Sequence, residues 1–327
     1  MVRMMHALMG LAVVVAAASS AHAEDIVHLG HNRTWSNTAL ILGLANEDFS
    51  KFGVKVVEHE FTSPADIITG IASGDLDAGT APAGNFFAAV TRGVKVKAVS
   101  VVQGRNNPPI AYTVRTDSTI KAVADLRGKT AGVNNYGGNY DIYLRYWLKR
   151  NGLDPEKDVK IIIVPVPAMV PSLINRQVDI VPIASFDRVI LDQRYSGQTR
   201  TLFDYDDVLK AGTGSVNNNT LLLVMADDFI AKRRDVATRF MEGYIRAIRS
   251  TNADPKKAVA EWASVVGNDM LRNLAGPPTI PNDGKIYPAS MQFDADLAYE
   301  YGYLKTKVDV HAVVDNSIAD AALAALN

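Results

Sequence analysis

The chain has 327 residues, with 34 Lys and Arg against 35 Asp and Glu, and no cysteine. A net charge of −1 offers no electrostatic footprint for nucleic acid or an anionic membrane. The missing thiol excludes disulfides, thiolate catalysis, cysteine-ligated metal and a lipidated cysteine, and the length suits roughly two domains.

Residues 1–23 read as a secretory signal peptide. Arg3 supplies the positive start, residues 7–18 a short apolar run, and Ala21-His22-Ala23 a small-x-small cleavage site before Glu24. The run is shorter than the ~20 apolar residues of a spanning helix. Cleavage after Ala23 leaves 327 − 23 = 304 residues with a net charge of 33 − 35 = −2. The expected location is the periplasm, as a soluble protein without a lipid anchor.

Short apolar runs then alternate with amphipathic segments. Residues 26–30 read as a strand, 37–49 as a helix, 54–61 as a strand, 64–73 as a helix and 76–80 as a strand, with further strands at 96–102 and 110–116. This alternation predicts an open α/β sheet. A second run begins near Ile120. Residues 129–133 form a strand, and 139–150 a helix with Tyr140, Tyr143, Leu144, Trp147 and Leu148 on one face. Gly152 suits the position just past its end. Residues 159–164 are a strand, 168–175 a helix and 178–183 a strand. Ile71 to Gly79 (I-A-S-G-D-L-D-A-G) is echoed by Leu173 to Val181 (L-I-N-R-Q-V-D-I-V), which makes Asp77 and Asp179 equivalent and points to two similar lobes. Later come a strand at 220–225, a helix carrying Val236, Phe240, Tyr244 and Ile248, another started by Pro255, a proline-rich loop at 275–288, and short helices near 295–305 and 318–326.

Three motifs carry a family resemblance: G-I-A-S-G-D-L-D-A-G-T-A-P at 70–82, D-L-R-G-K-T-A-G-V at 125–133 and V-D-N-S-I at 314–318. In this order behind a signal peptide, the chain resembles the periplasmic solute-binding proteins of nitrate, sulfonate, taurine and thiamine-precursor ABC importers, over nearly the whole mature length. The resemblance implies a type II periplasmic-binding-protein fold. This has two α/β lobes, each an open sheet flanked by helices, joined by two crossing strands, with the ligand between the lobes. Lobe one would be 24–115 plus 216–327 and lobe two 116–215, with crossings near 112–117 and 214–220 and Gly212 and Gly214 at the hinge. It also implies a small organic ligand and an ABC permease of the inner membrane as partners, no nucleic acid, no cofactor, and a monomer.

Ligands of open α/β sheets sit at the carboxyl ends of the strands, which singles out five loops. The first carries Trp35 and Asn37. The second carries Thr62 and Ser63, where Ser63 suits capping because Pro64 follows. The third carries Pro82 and Asn85, with small residues that let a ligand approach the backbone. The fourth is Tyr136-Gly137-Gly138-Asn139, a Gly-Gly turn between strand and helix whose N–H groups can face an oxygen. It lacks the lysine and spacing of a phosphate-binding P-loop. The fifth is Ser185-Phe186-Asp187, similar to an aromatic–acid pair of sulfonate-binding relatives. Asn219 lies beside the second crossing. Arg33 and Arg105 could supply a cation, but each reads more readily as a solvated loop residue. These groups suit a compact carboxylate or sulfonate with a flat or apolar part. A pyrimidine-type thiamine precursor, for which Asp187 would hold a ring N–H, and a ligand-presenting sensor role remain alternatives. An enzyme is not expected. The pyrimidine synthases of the thiamine branch use a cysteine-rich motif, and neither an H-E-x-x-H pattern nor a G-x-S-x-G elbow is present.

Overall fold

The computed structural model describes residues 25–274 and 276–326; the expected signal peptide lies outside the described residues. The first lobe is entered through β1 (Asp25–His31), α1 (Thr38–Ala45), β2 (Val54–Glu60), α2 (Pro64–Ser73), β3 (Ala78–Pro82), α3 (Ala83–Thr91) and β4 (Val96–Gln103). The chain then passes to β5 (Ala111–Arg115), β6 (Thr130–Val133), α4 (Asn139–Arg150), β7 (Lys160–Ile163), α5 (Val166–Ile174), β8 (Ile180–Ile183), α6 (Ser185–Arg194), β9 (Thr199–Asp204) and α7 (Tyr205–Thr213). It returns through β10 (Leu221–Ala226), α8 (Asp227–Lys232), α9 (Arg234–Ala253), α10 (Pro255–Val265), α11 (Pro288–Glu300), α12 (Val310–Val313) and α13 (Ser317–Leu326).

Two five-stranded mixed sheets result, ordered β2-β1-β3-β10-β4 and β7-β6-β8-β5-β9. Each has one antiparallel strand, and in each it is the strand delivered by a crossing. β10 runs antiparallel to β3 and β4, and β5 to β8 and β9. The first crossing therefore differs from the expected 112–117. β4 belongs to the first sheet and β5 to the second, so the lobe change falls over 104–110. Ile110, Tyr112 and Val114 are buried in the second core, and that burial fixes 111–115 as a second-lobe strand. The return falls over 214–220. Gly214 ends α7 with φ +74, whereas Gly212 lies inside α7 against the Phe293 ring, where a Cβ would come within 2.3 Å.

The likeness of the two lobes extends to individual hydrogen bonds. The Asp77 carboxylate accepts from the His28 backbone N–H at 2.8 Å, and Asp77 N–H donates to the His28 carbonyl. Asp179 does the same with Thr130 at 2.9 Å. Five helices occupy segments expected as loops or left unassigned: α3, α6, α7, α8 and α12. The first two start without a side-chain cap, so the usual N-terminal signal is missing from their sequence.

α11 is shared between the lobes. Met291, Ala295 and Ala298 lie in the first-lobe core. Leu297, with Phe293 and Tyr301 packed alongside, lies in the second. Pro288 at its first position fits the helix start. No described helix is long and apolar enough to cross a membrane.

Candidate functional site

Between the lobes lies a cleft of about 670 Å³, built from loops at the carboxyl ends of strands in both sheets. The first lobe contributes Trp35 and Ser36 from the segment after β1, and Pro82, Gly84 and Asn85 from the β3–α3 junction. The second contributes 134–140, between β6 and α4, with Ala184 before α6 and Tyr205 at the start of α7. Gln103, Asn106 and Ile110 line it from the first crossing, and Thr220 from the return. The loops face each other closely, since a Cβ on Gly84 would stand 3.8 Å from the Gly137 carbonyl.

Three helix starts open at the cleft: α3 after Pro82, α4 after Gly138 and α6 after Ala184. None has a side-chain cap. First-turn N–H groups at such starts can face an acceptor oxygen without a cation, while Asp141 and Asp187 place an acid in the first turns of α4 and α6. Among the described residues the lining includes no Lys, Arg, His, Asp or Glu. Its walls are amides, small residues and the rings of Trp35, Tyr136, Tyr140, Tyr205 and Tyr303.

The Gly-Gly turn is held from both lobes. Gly137 N–H donates to the buried Asp141 carboxylate at 2.9 Å, Arg145 donates to the same group at 2.7 Å, and Tyr303, from the segment after α11, donates its O–H to it. The Tyr303 ring lies against Gly137, where a Cβ would come within 2.8 Å. One turn further along α4, Tyr143 O–H donates to Asp294 of α11 at 2.7 Å, and the Asn139 amide reaches it at 3.4 Å. Burial pushes the Asp294 carboxyl up to about 7.

Of the residues expected from sequence, Trp35, Pro82, Asn85, Tyr136, Gly137, Gly138 and Asn139 come together in this cleft. Others do not line it. Asn37 is buried and ties its own loop, donating to the Asn32 carbonyl at 3.0 Å. Thr62 is exposed, and Ser63 caps α2 by accepting from Ala65 N–H. Asn219 is fully buried, donating to the Tyr287 carbonyl and Ser290 and accepting from Tyr287 N–H. It pins the return crossing to the loop before α11. Ser185 and Phe186 open α6, and their side chains lie outside what the structure describes. Asp187 is buried beside Tyr140 and pushed up to about 6 by that burial. Arg33 pairs with Glu60 at 3.3 Å. Arg105 grips Asp206 with its Nε 2.9 and 3.1 Å from the two oxygens. Sequence reasoning missed Gln103, Asn106, Tyr205, Thr220 and Tyr303. The segment Q-G-R-N-N at 103–107 held a signal, since an amide-rich run at a lobe crossing faces the cleft; Tyr205 and Tyr303 carried none, because each reaches the cleft through tertiary packing.

A family profile described as NMT1/THI5 like matches residues 37–258. Residues of the chain are 40% identical over 63 positions to the nitrate/nitrite binding protein of Nostoc sp., a match spanning 19% of this chain and 14% of that protein. Among solved structures, the periplasmic aliphatic sulphonate binding protein of Escherichia coli superposes with a TM-score of 0.68 at 21% identity, covering 89% of this chain and 92% of that one. The periplasmic nitrate-binding protein of Synechocystis superposes with a TM-score of 0.63 at 15% identity, covering 92% and 89%. These structures share the two-lobe periplasmic-binding-protein fold, and with more than half of its length matched the chain belongs to the NMT1/THI5-like family.

Proposed function

We propose that the protein is the periplasmic solute-binding component of an ABC-type importer. It captures a small organic solute with an oxygen-rich end, a carboxylate or sulfonate, and a flat or apolar part. The observation that carries this reading is the interlobe cleft, in which aromatic rings and amides from both lobes surround three uncapped helix starts. Helix starts suit oxygen-rich groups, and rings suit the flat part. Family membership and the named roles of the similar proteins, nitrate/nitrite binding and aliphatic sulphonate binding, support the importer assignment. The lining of rings, amides and small residues suits holding a ligand. The mature protein begins at Glu24, and delivery ends at an inner-membrane permease.

A thermal-shift screen of carboxylates, sulfonates and pyrimidines tests the binding role. A cognate ligand at 100 times its Kd stabilises by about 2.7 kcal/mol. Loss of cellular uptake of that ligand on deleting the gene tests delivery, and unchanged uptake would rule against it.

A further inference from the structure

Among the described residues, five large apolar or aromatic side chains are exposed: Ile26, Tyr136, Ile163, Tyr299 and Tyr303. Scattered singly, such residues need no explanation. Three of them, however, gather at one rim of the cleft. Tyr136 and Tyr303 line the cleft and are still 47% and 36% exposed, so each reaches from inside it to the surface. Ile163 is 54% exposed and ends β7, in register with Val133, from which the chain runs on to Tyr136. The other two differ. Ile26 is at the amino end of β1, away from the cleft, and the Lys307 ammonium lies over the Tyr299 ring at 5.5 Å.

A surface tyrosine ordinarily turns its hydroxyl to water and its ring to the protein. At this rim the arrangement is reversed. Tyr136 O–H donates to the Ile161 carbonyl at 3.2 Å, and Tyr303 O–H donates to the Asp141 carboxylate. Both rings are tethered by their polar ends, and what they offer outward is carbon. The bond to Ile161 brings the Tyr136 side chain to β7, where Ile161 and Ile163 share a face because side chains alternate along a strand. β7 is the outermost strand of its sheet. An apolar strip of Tyr303, Tyr136 and Ile163 thus begins in the cleft beside the Gly-Gly turn, passes the start of α4 and continues onto the surface.

Resting on the solute-binding role above, we propose that this strip is a subsite for an apolar tail. The oxygen-rich end of the solute sits at the start of α4, and an alkyl chain leaves the cleft across Tyr303, Tyr136 and Ile163. The solute is then an amphiphile, a carboxylate or sulfonate with a chain of several CH2 groups. Continuity with the cleft decides the occupant. The entropy of association is lost once, by the head group, so a tail attached to it gains the contacts of the strip as surplus.

The test is calorimetry on the mature protein with ethane-, butane-, hexane- and octanesulfonate and the alkanoates of the same lengths. A fully buried CH2 raises affinity about fourfold, and about twofold when one side stays in water. Affinity in at least one series is therefore expected to rise about two- to fourfold per CH2 from butyl to octyl. Ile163→Thr keeps a β-branched residue in the strand at an exposed position and should melt near the parent. It should lower octyl affinity at least about threefold and leave ethyl affinity unchanged. Ile26→Thr, an equally exposed position away from the cleft, should change neither. Binding that is flat or falls with chain length overturns the inference and leaves the solute-binding role intact. A rise with length that Ile163→Thr does not reduce places the tail inside the cleft and also overturns it. So does an equal loss in Ile26→Thr, which marks adsorption, or an equal loss for ethyl and octyl probes in Ile163→Thr. No binding by any member of either series overturns the inference together with the oxygen-rich head group.

Discussion

Gly137 and Gly138 are neighbours in the cleft turn but are glycine for different reasons. Gly137 has φ +78 and carries the Tyr303 ring on its face. Gly138 has an ordinary φ of −83, and a Cβ there would meet the Asn135 amide at 2.7 Å. Gly137→Ala therefore combines a left-handed residue, ~1–2 kcal/mol, with displacement of Tyr303, and should lower the melting temperature measurably. Gly138→Val should leave melting near the parent value, because the end of the Asn135 side chain can move. It should weaken ligand binding by more than about tenfold, or ~1.4 kcal/mol, by blocking approach to the start of α4. Calorimetry and melting read together check this pair; parent-like affinity in Gly138→Val would make the turn purely structural. Asp294 gives a second prediction at this scale. The unfolded chain ionises it near 3.9, but the native protein, which buries it under Tyr143 and Asn139, holds the proton up to about 7. Between those values the native state binds more protons, so this contribution to stability is full below about 4 and is lost as pH rises to 7. Asp187, raised to about 6 by burial, adds a slope of the same sign over a shorter window. Melting temperature should thus fall from mildly acidic to neutral pH. Asp294→Asn, which still accepts from Tyr143, should flatten that fall and be the more stable protein above pH 7. An equal slope in parent and variant would place the titration elsewhere.

The helix–turn–strand unit that recurs in the two lobes was legible in the sequence down to one carboxylate, because its chemistry is local. In each copy an Asp side chain accepts from a neighbouring strand while its backbone completes the ladder. The copies differ at the residue that ends the helix. Gly74 has φ +87, and its counterpart Arg176 holds φ +63. Arg176 also pairs with Asp117 at 2.5 Å, but both side chains are exposed, so that pair contributes little. Arg176→Gly should relieve ~1–2 kcal/mol of left-handed strain against ~0.5–1 kcal/mol of added glycine flexibility. A small rise in melting temperature is expected, and a fall would show that the Asp117 pair outweighs the strain. α3 and α6 were not legible. Their openings, A-G-N and S-F-D, look like turn chemistry, and the starts without a side-chain cap that hide them in sequence are ones that open at the cleft. The first crossing was misplaced for a related reason. Residues 110–114 form an apolar run that fits either sheet, and only tertiary packing assigns it to the second.

Neither the composition nor the periodicity of 288–304 distinguishes α11 from any surface helix, yet it packs on both lobes. Besides the crossings at 104–110 and 214–220, this helix joins the lobes by packing. Phe293 lies against Gly212 and makes a T-shaped contact with Tyr146, and Leu297 enters the second core. Asp294 and Tyr303 bind α4, and Lys149 reaches Glu300 at 2.5 Å. On the other side of the cleft, Val189 of α6 packs on the cluster of Trp262 and Leu271 from the first lobe. A wide hinge opening would pull all of these contacts apart, whereas small sliding movements keep them, and packed interfaces favour the latter. Ligand saturation should therefore change the radius of gyration of the parent protein very little in small-angle scattering. Gly212→Val puts carbon where the Phe293 ring now lies, an overpacking that costs about 1–3 kcal/mol and is relieved by moving α11 off α7. That variant should be larger than the parent without ligand and should contract when a ligand from the thermal-shift screen is added. Clear contraction of the parent, or no difference between parent and variant, would mean that α11 does not restrain the lobes.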